Sequence, residues 1–215
     1  QKLSTHIVDI TDRAAVDALP AAVLAAHRSV DGLVNNAGII QPFVFFKDLS
    51  DADIDHVMKI NFYGTIHMTR AFLPLLLQRP EAHIVNVSSM GGFLPVPGQT
   101  LYGASKAAVK LFTEGLYTEL LDTRVGVTVV FPGGVGTNIA VNSGVMTLEQ
   151  QQQSTSTYKT TPPDLAAQMI VEGIERNRFR VLIGRDARTM DFLYRLMPQK
   201  AAHLIQKQMR SLLPK

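Results

Sequence analysis

Two hydrophobic periods alternate along the chain. Short runs rich in β-branched or other apolar residues predict buried strands at 6–10, Gly32–Asn35, Ala82–Val87, 125–131 and Arg180–Ile183. Between them the apolar positions follow a helical period. Residues 12–28 are Ala-rich after a Thr/Asp opening, and 51–78 carry Ile54, Val57, Met58, Phe62, Ile66, Met68 and Leu73, with Pro74 as the expected kink. A third helix is expected over 100–121. A fourth opens at Thr161-Pro162-Pro163-Asp164, ahead of Leu165, Met169, Ile170 and Ile174, and the last, 187–213, is broken at Pro198.

Strands alternating with helices of this length predict βαβ units, so the fold class is α/β, a doubly wound, mostly parallel sheet with helices on both faces. The 215 residues and 46% hydrophobic content fit one domain, 1–215, with no internal repeat and no second domain. The polar, low-complexity stretch 138–161 breaks the pattern. It is expected to be a mobile surface excursion, either a solvated helix with a linker or a lid over a substrate.

Charge and composition exclude several classes. The net charge is +3 and the pI about 9.2, yet no Lys/Arg run is long enough to follow a phosphate backbone, so nucleic acid is not an expected partner. Zero cysteines remove disulfides and thiolate chemistry, which agrees with a cytoplasmic location. The six histidines are scattered without ligand spacing, so no metal is expected. No apolar run reaches the roughly 20 residues of a membrane span. Residues 188–215 form a basic amphipathic tail with six Lys or Arg against the single acid Asp191. Its apolar stripe is expected to pack on the body or on another subunit, with peripheral membrane contact as the alternative.

The candidate chemistry begins with Tyr102 and Lys106, four residues apart on one helical face. A free phenol ionises near pH 10, and a fixed ammonium nearby would draw its pKa toward neutrality. Y-x-x-x-K alone is weak, since the pair recurs on ordinary helix surfaces. Further motifs stand in order around it: Asn35-Asn36-Ala37-Gly38 after a strand, Asn61 within KINFYGT, Ile84-Val85-Asn86-Val87-Ser88-Ser89 with Ser89 thirteen residues before Tyr102, and Pro132-Gly133-Gly134-Val135-Gly136-Thr137. With these residues the chain resembles the short-chain dehydrogenase/reductase family in its single-domain form, over residues 9–137.

The resemblance implies an NAD(P)-dependent oxidoreductase that interconverts a ketone or aldehyde with an alcohol. It implies Tyr102 as general acid/base, Ser89 polarising the substrate oxygen, Lys106 lowering the tyrosine pKa and holding cofactor ribose, and Asn61 interrupting the helix to support a proton relay. For the cofactor, NAD or NADP, it implies contacts from Asp9, Asn36, Ala37, Gly38, Tyr102, Lys106, Pro132, Gly133, Val135 and Thr137. The residues also carry plainer meanings: Asp9 an N-cap or turn acid, Gly38 a tight turn.

Apolar residues at Phe93, Leu94, Val96, Val141, Val145, Met146 and Leu148, in segments that vary within the family, imply a small hydrophobic substrate. The family also implies a homodimer or homotetramer assembled through 51–78 and 100–121. Its usual opening, T-G-x-x-x-G-x-G between the first strand and helix, is not among the 215 residues. The expectation is therefore an amino-terminally incomplete chain whose sheet shows an apolar edge at Gly32–Asn35. A non-catalytic binding or assembly protein of the same fold, or an inactive fragment, is the alternative function; a Ser89 hydrolase is disfavoured for want of a G-x-S-x-G elbow.

Overall fold

The computed structural model describes residues 3–155, 160–210 and 213. Ser156 and Thr157 of the 138–161 stretch, and Leu212 and Lys215 of the tail, lie outside the described residues. Four strands, β1 (Gly32–Asn35), β2 (Ala82–Val87), β3 (Val125–Pro132) and β4 (Arg180–Ile183), form one all-parallel sheet in the order β1-β2-β3-β4. Leu33 pairs with Ile84 and Ile84 with Val127, so successive strands stack their apolar side chains on one face. α3 (Thr65–Leu76) and α4 (Thr100–Glu119) cover that face, burying Phe72, Leu76 and Leu116 against Leu33, Ile84 and Val127. α7 (Pro163–Glu175) covers the other face over β3 and β4, where Val85, Val130, Val181 and Ile183 meet Ala166.

α1 (Arg13–His27) begins where Asp12 accepts from Ala14 N and Ala15 N, an N-cap that satisfies two orphan donors, and it packs on α3. α2 (Asp51–Met58) starts at the Ser50 cap. The two-helix tail is α8 (Arg185–Leu196) and α9 (Pro198–Met209), separated at Pro198, which stands at the first position of α9 where its missing N–H costs nothing. Its apolar stripe is divided: Met190, Ala201 and Ile205 bury against Leu94, while Phe192 and Leu196 face outward at 67% and 61% exposure.

One expectation requires correction. Residues 6–10 form no strand: they pair with no other strand among the described residues, Ile7 is fully exposed, and Asp9 turns its carboxylate to Thr11 N and Oγ1 in a tight turn. A strand needs a ladder partner, and apolar content alone does not supply one. Within 138–161, α5 (Ile139–Asn142) and α6 (Leu148–Thr155) form. Within 51–78 the helix passes through a π-helical turn, Lys59–Gly64, between α2 and α3, and α3 continues through Pro74 to Leu76.

A polar spine crosses the core under α3 and α4. Asn35 Nδ2 donates to Thr69 Oγ1 (3.0 Å) and to Asn86 Oδ1 (2.8 Å), and Asn86 Nδ2 donates to Thr113 Oγ1 (3.0 Å). All four side chains are buried, so each amide is satisfied inside the protein. β1 forms one edge of the sheet, and Val34 on it is 49% exposed, as the expected apolar edge requires.

Candidate active site

The carboxyl ends of parallel strands are where α/β sheets gather ligand-binding groups, and the named residues converge there. β2 ends at Val87 and delivers Ser88 and Ser89. Ser88 Oγ donates to Lys106 O (2.7 Å), which fixes the strand end against α4. Ser89 opens a one-turn 3₁₀ helix, Met90–Gly92, its Oγ accepting from Gly91 N at 3.0 Å and lying near enough to the Tyr102 phenol to lower its pKa in part. Gly92 is required by contact: a Cβ there would stand 2.6 Å from Ser88 Oγ and 2.9 Å from Lys106 O. The turn and α4 therefore touch backbone to backbone, which brings Ser89 to Tyr102.

α4 has no side-chain cap of its own. Instead Gln41, fully buried and 61 residues away, turns Oε1 to Leu101 N (2.7 Å) and Tyr102 N (3.0 Å). Its carbonyl accepts from Gln99 Nε2 at 2.8 Å. This borrowed cap sets the backbone at Tyr102 itself. One turn further, Ser105 Oγ donates to Tyr102 O (2.7 Å) and accepts from Asn61 Nδ2 (2.9 Å).

Asn61 sits inside the π turn, fully buried, and there it does what a helix-surface asparagine could not. Its Nδ2 also donates to Ile39 O (2.9 Å), and its Oδ1 accepts from Ile39 N (2.8 Å), so one amide grips the loop after β1 as a paired strand would. Gly38 precedes that grip. A Cβ on Gly38 would meet Lys106 Nζ at 3.0 Å and Asn61 Oδ1 at 3.2 Å. Gly38 thus stands against both Lys106 Nζ and Asn61 Oδ1, and its missing side chain leaves a cradle over the ammonium. Lys106 is buried, and its Nζ donates to Val87 O at 3.0 Å.

Burial governs the electrostatics. It raises the Tyr102 pKa above the usual phenol value, with the nearby Ser89 lowering it in part, and it lowers Lys106 to about 8. The expectation that Lys106 draws the phenol toward neutrality is therefore corrected: desolvation is the largest influence on Tyr102, and Ser89 rather than Lys106 opposes it. At neutral pH the phenol carries its proton and the ammonium is charged.

The second wall is the loop that leaves β3. Pro132 ends β3 and Gly133, Val135 and Thr137 follow it, with Gly133 N donating to Ile183 O (2.9 Å) and Val135 bridging Thr161. Asn36 and Ala37 are exposed on the loop after β1. Asp9, in the turn before α1, accepts from Thr11 N and Thr11 Oγ1 through Oδ1. The neighbouring Ile10 reaches the π turn, since a Cβ on Gly64 would run into its side chain. Ser143 Oγ, following α5, accepts from Ile40 N at 3.0 Å and so ties the 138–161 stretch to the loop after β1.

Of the expected substrate-shaping residues, Leu94 is fully buried in the core beneath α8 and α9, and Phe93 stacks edge-on against Phe131. A groove of about 470 Å³ runs beside them, between Gly91–Gln99, the outer face of α4, and Tyr194, Ala202 and Gln206 of the tail. Tyr102 and Ser89 are not among its lining residues, although Gly91, which lines it, lies against the Tyr102 ring. Gln41, Ser105, Ser88 and Ser143 were not singled out from the sequence. Ser88 lies inside the Ile84–Ser89 motif and Ser105 between Tyr102 and Lys106, whereas Gln41 and Ser143 stand apart from any motif.

The short chain dehydrogenase family profile matches residues 1–147. SadH of Mycobacterium tuberculosis, named as an oxidoreductase, is 38% identical over 205 residues, covering 92% of this chain and 74% of its own. The NADP-dependent 3-hydroxy acid dehydrogenase YdfG of Salmonella typhimurium is 38% identical over 136 residues, 63% of this chain and 55% of its own. Among solved structures, a short chain dehydrogenase/reductase from Burkholderia phymatum in complex with NAD superposes with a TM-score of 0.76 at 30% identity, over 88% of this chain and 75% of that one. With its parallel sheet and a profile match over most of its length, the chain belongs to the short-chain dehydrogenase/reductase family of oxidoreductases.

Proposed function

We propose that the protein transfers hydride between a nicotinamide dinucleotide, NAD or NADP, and a small apolar carbonyl compound or its alcohol. The supporting observation is the convergence of Ser89 Oγ and the Tyr102 ring on either side of Gly91, with the buried Lys106 ammonium one helical turn from Tyr102. The residues fit the cofactor, because the cradle at Gly38 opens directly onto Lys106 Nζ and the Pro132–Thr137 loop presents glycine backbone at the same carboxyl end of the sheet, two strands across at β3. Lys106 would hold ribose hydroxyls, Asn36, Ala37 and Gly38 would receive the adenosine side, and Pro132, Gly133, Val135 and Thr137 the nicotinamide end. When bound, the nicotinamide supplies or accepts the hydride.

Ser89 donates a hydrogen bond to the substrate oxygen and polarises it. Tyr102, protonated at neutral pH, donates its proton to that oxygen as negative charge develops there, which suits carbonyl reduction. Lys106 faces the phenolate left behind, so its charge matters more after transfer than before. Asn61 holds Ser105 and the loop after β1, and through them the backbone of Tyr102. Tyr102→Phe removes the proton and keeps the ring, so turnover with a panel of apolar ketones should fall at least about a hundredfold. NADH or NADPH affinity, read by nicotinamide fluorescence, should stay within about twofold. Undiminished turnover in that variant would remove Tyr102 as the acid.

A further inference from the structure

The loop 132–137 carries three glycines, and something other than its own sequence must hold it in one shape. Its support comes from two distant segments. Thr161 N donates to Gly134 O (2.8 Å), and Gly136 N donates to Thr161 O (3.0 Å), which pins one side. On the other side Gly134 N donates to Asp186 Oδ2 at 2.6 Å, a short bond to a carboxylate 52 residues further along the chain. A Cβ on Gly133 or on Gly184 would collide with that same carboxylate, so the loop and the β4–α8 connection are hollowed around it. Gly184 also has φ +95°, a conformation that glycine adopts without strain. Asp186 itself has no ion-pair partner among the described residues, so nothing competes for the oxygen that Gly134 uses.

We infer that Asp186 is a positioning residue for the cofactor loop. From the first turn of α8 it holds Gly134 N, and with it the backbone of Pro132 to Thr137, at the height where the nicotinamide end is received. The inference rests on the proposed function for the identity of what the loop receives, but not for the contact itself. A charge-assisted bond to a backbone N–H is among the stronger single contacts a carboxylate makes. The same bond can be made by a neutral amide oxygen of the same shape, which separates the acceptor from its charge.

The test compares Asp186→Ala and Asp186→Asn with the unaltered chain. Asp186 is exposed, so neither change empties the core. In the absence of cofactor, hydrogen exchange at the Gly134 amide should accelerate at least about tenfold in Asp186→Ala and much less in Asp186→Asn. With NADH or NADPH, Asp186→Ala should raise the cofactor KM about tenfold while kcat at saturating cofactor changes by less than about threefold, and Asp186→Asn should restore most of the loss. Unchanged Gly134 exchange, or an Asn variant as impaired as the Ala variant, would overturn the positioning role. Altered exchange in a protein that binds neither nucleotide would leave the contact standing and defeat the proposed function instead.

Discussion

Lys106 is the residue at which stability and activity pull in opposite directions. Its ammonium is buried, with desolvation lowering its pKa to about 8 from an ordinary value of 10.5. In the unfolded chain the same group stays protonated to higher pH. Between about pH 8 and 10.5 the unfolded state therefore binds more protons, and the Lys106 contribution to stability rises with pH. The proposed catalytic use of the charge runs the other way, since the ammonium is lost as pH rises through about 8. From pH 7.5 to 9.5, kcat/KM should fall while the denaturation midpoint, taken relative to Lys106→Met, should climb. Parallel movement of the two would mean that a different group titrates. Tyr102 does not confuse the experiment, because burial moves it upward, away from this window.

At the scale of elements, the site depends on how closely α4 lies on the turn after β2. Gly92→Ala places a methyl against Ser88 Oγ and the Lys106 carbonyl, neither of which is the loose end of a long side chain. The change should cost about 1–3 kcal/mol in a urea titration. Because it separates Ser89 from Tyr102, turnover should fall further than stability alone explains; full activity at that position would show the contact to be unimportant. The strand bounds were legible in the sequence wherever a run was apolar and had neighbours to pair with, as at Gly32–Asn35, Ala82–Val87 and Arg180–Ile183. Residues 6–10 also carry β-branched residues, yet among the described residues no strand pairs with them, and pairing is not a property of a single segment. Tyr102 and Lys106 were legible because helical spacing is local. Gln41 and Asp186 were not, since their roles depend on backbone N–H groups 61 and 52 residues away, and neither has a motif around it.

For the whole molecule, the open question is what covers the apolar side chains left outside. Leu111 on α4 is 68% exposed, Tyr63 in the π turn 49%, and a Cβ on Gly115 would meet nothing within 4 Å. These lie on the segments through which a homodimer or homotetramer is proposed to form. Leu111→Glu should shift the mass measured by light scattering toward the monomer without altering the circular dichroism spectrum. If the mass does not change, the subunits meet elsewhere or not at all. The outward Phe192 and Leu196 on α8 belong to a separate surface and should be indifferent to that change.

The Asn35–Asn86–Thr113 spine has a consequence for how the sheet is assembled. Its members come from β1, β2 and α4, so no two are near in sequence and no local element forms them. If β1 slipped by one residue against β2, Val34 would occupy the place of Asn35, and the displaced amide would face a side of the sheet where Asn86 is out of reach. A greasy strand tolerates misalignment, whereas one carrying a buried amide is penalised for every alignment but one. The spine thus acts as a proofreading device during folding: it adds little net attraction, yet it makes each wrong register expensive enough to be abandoned.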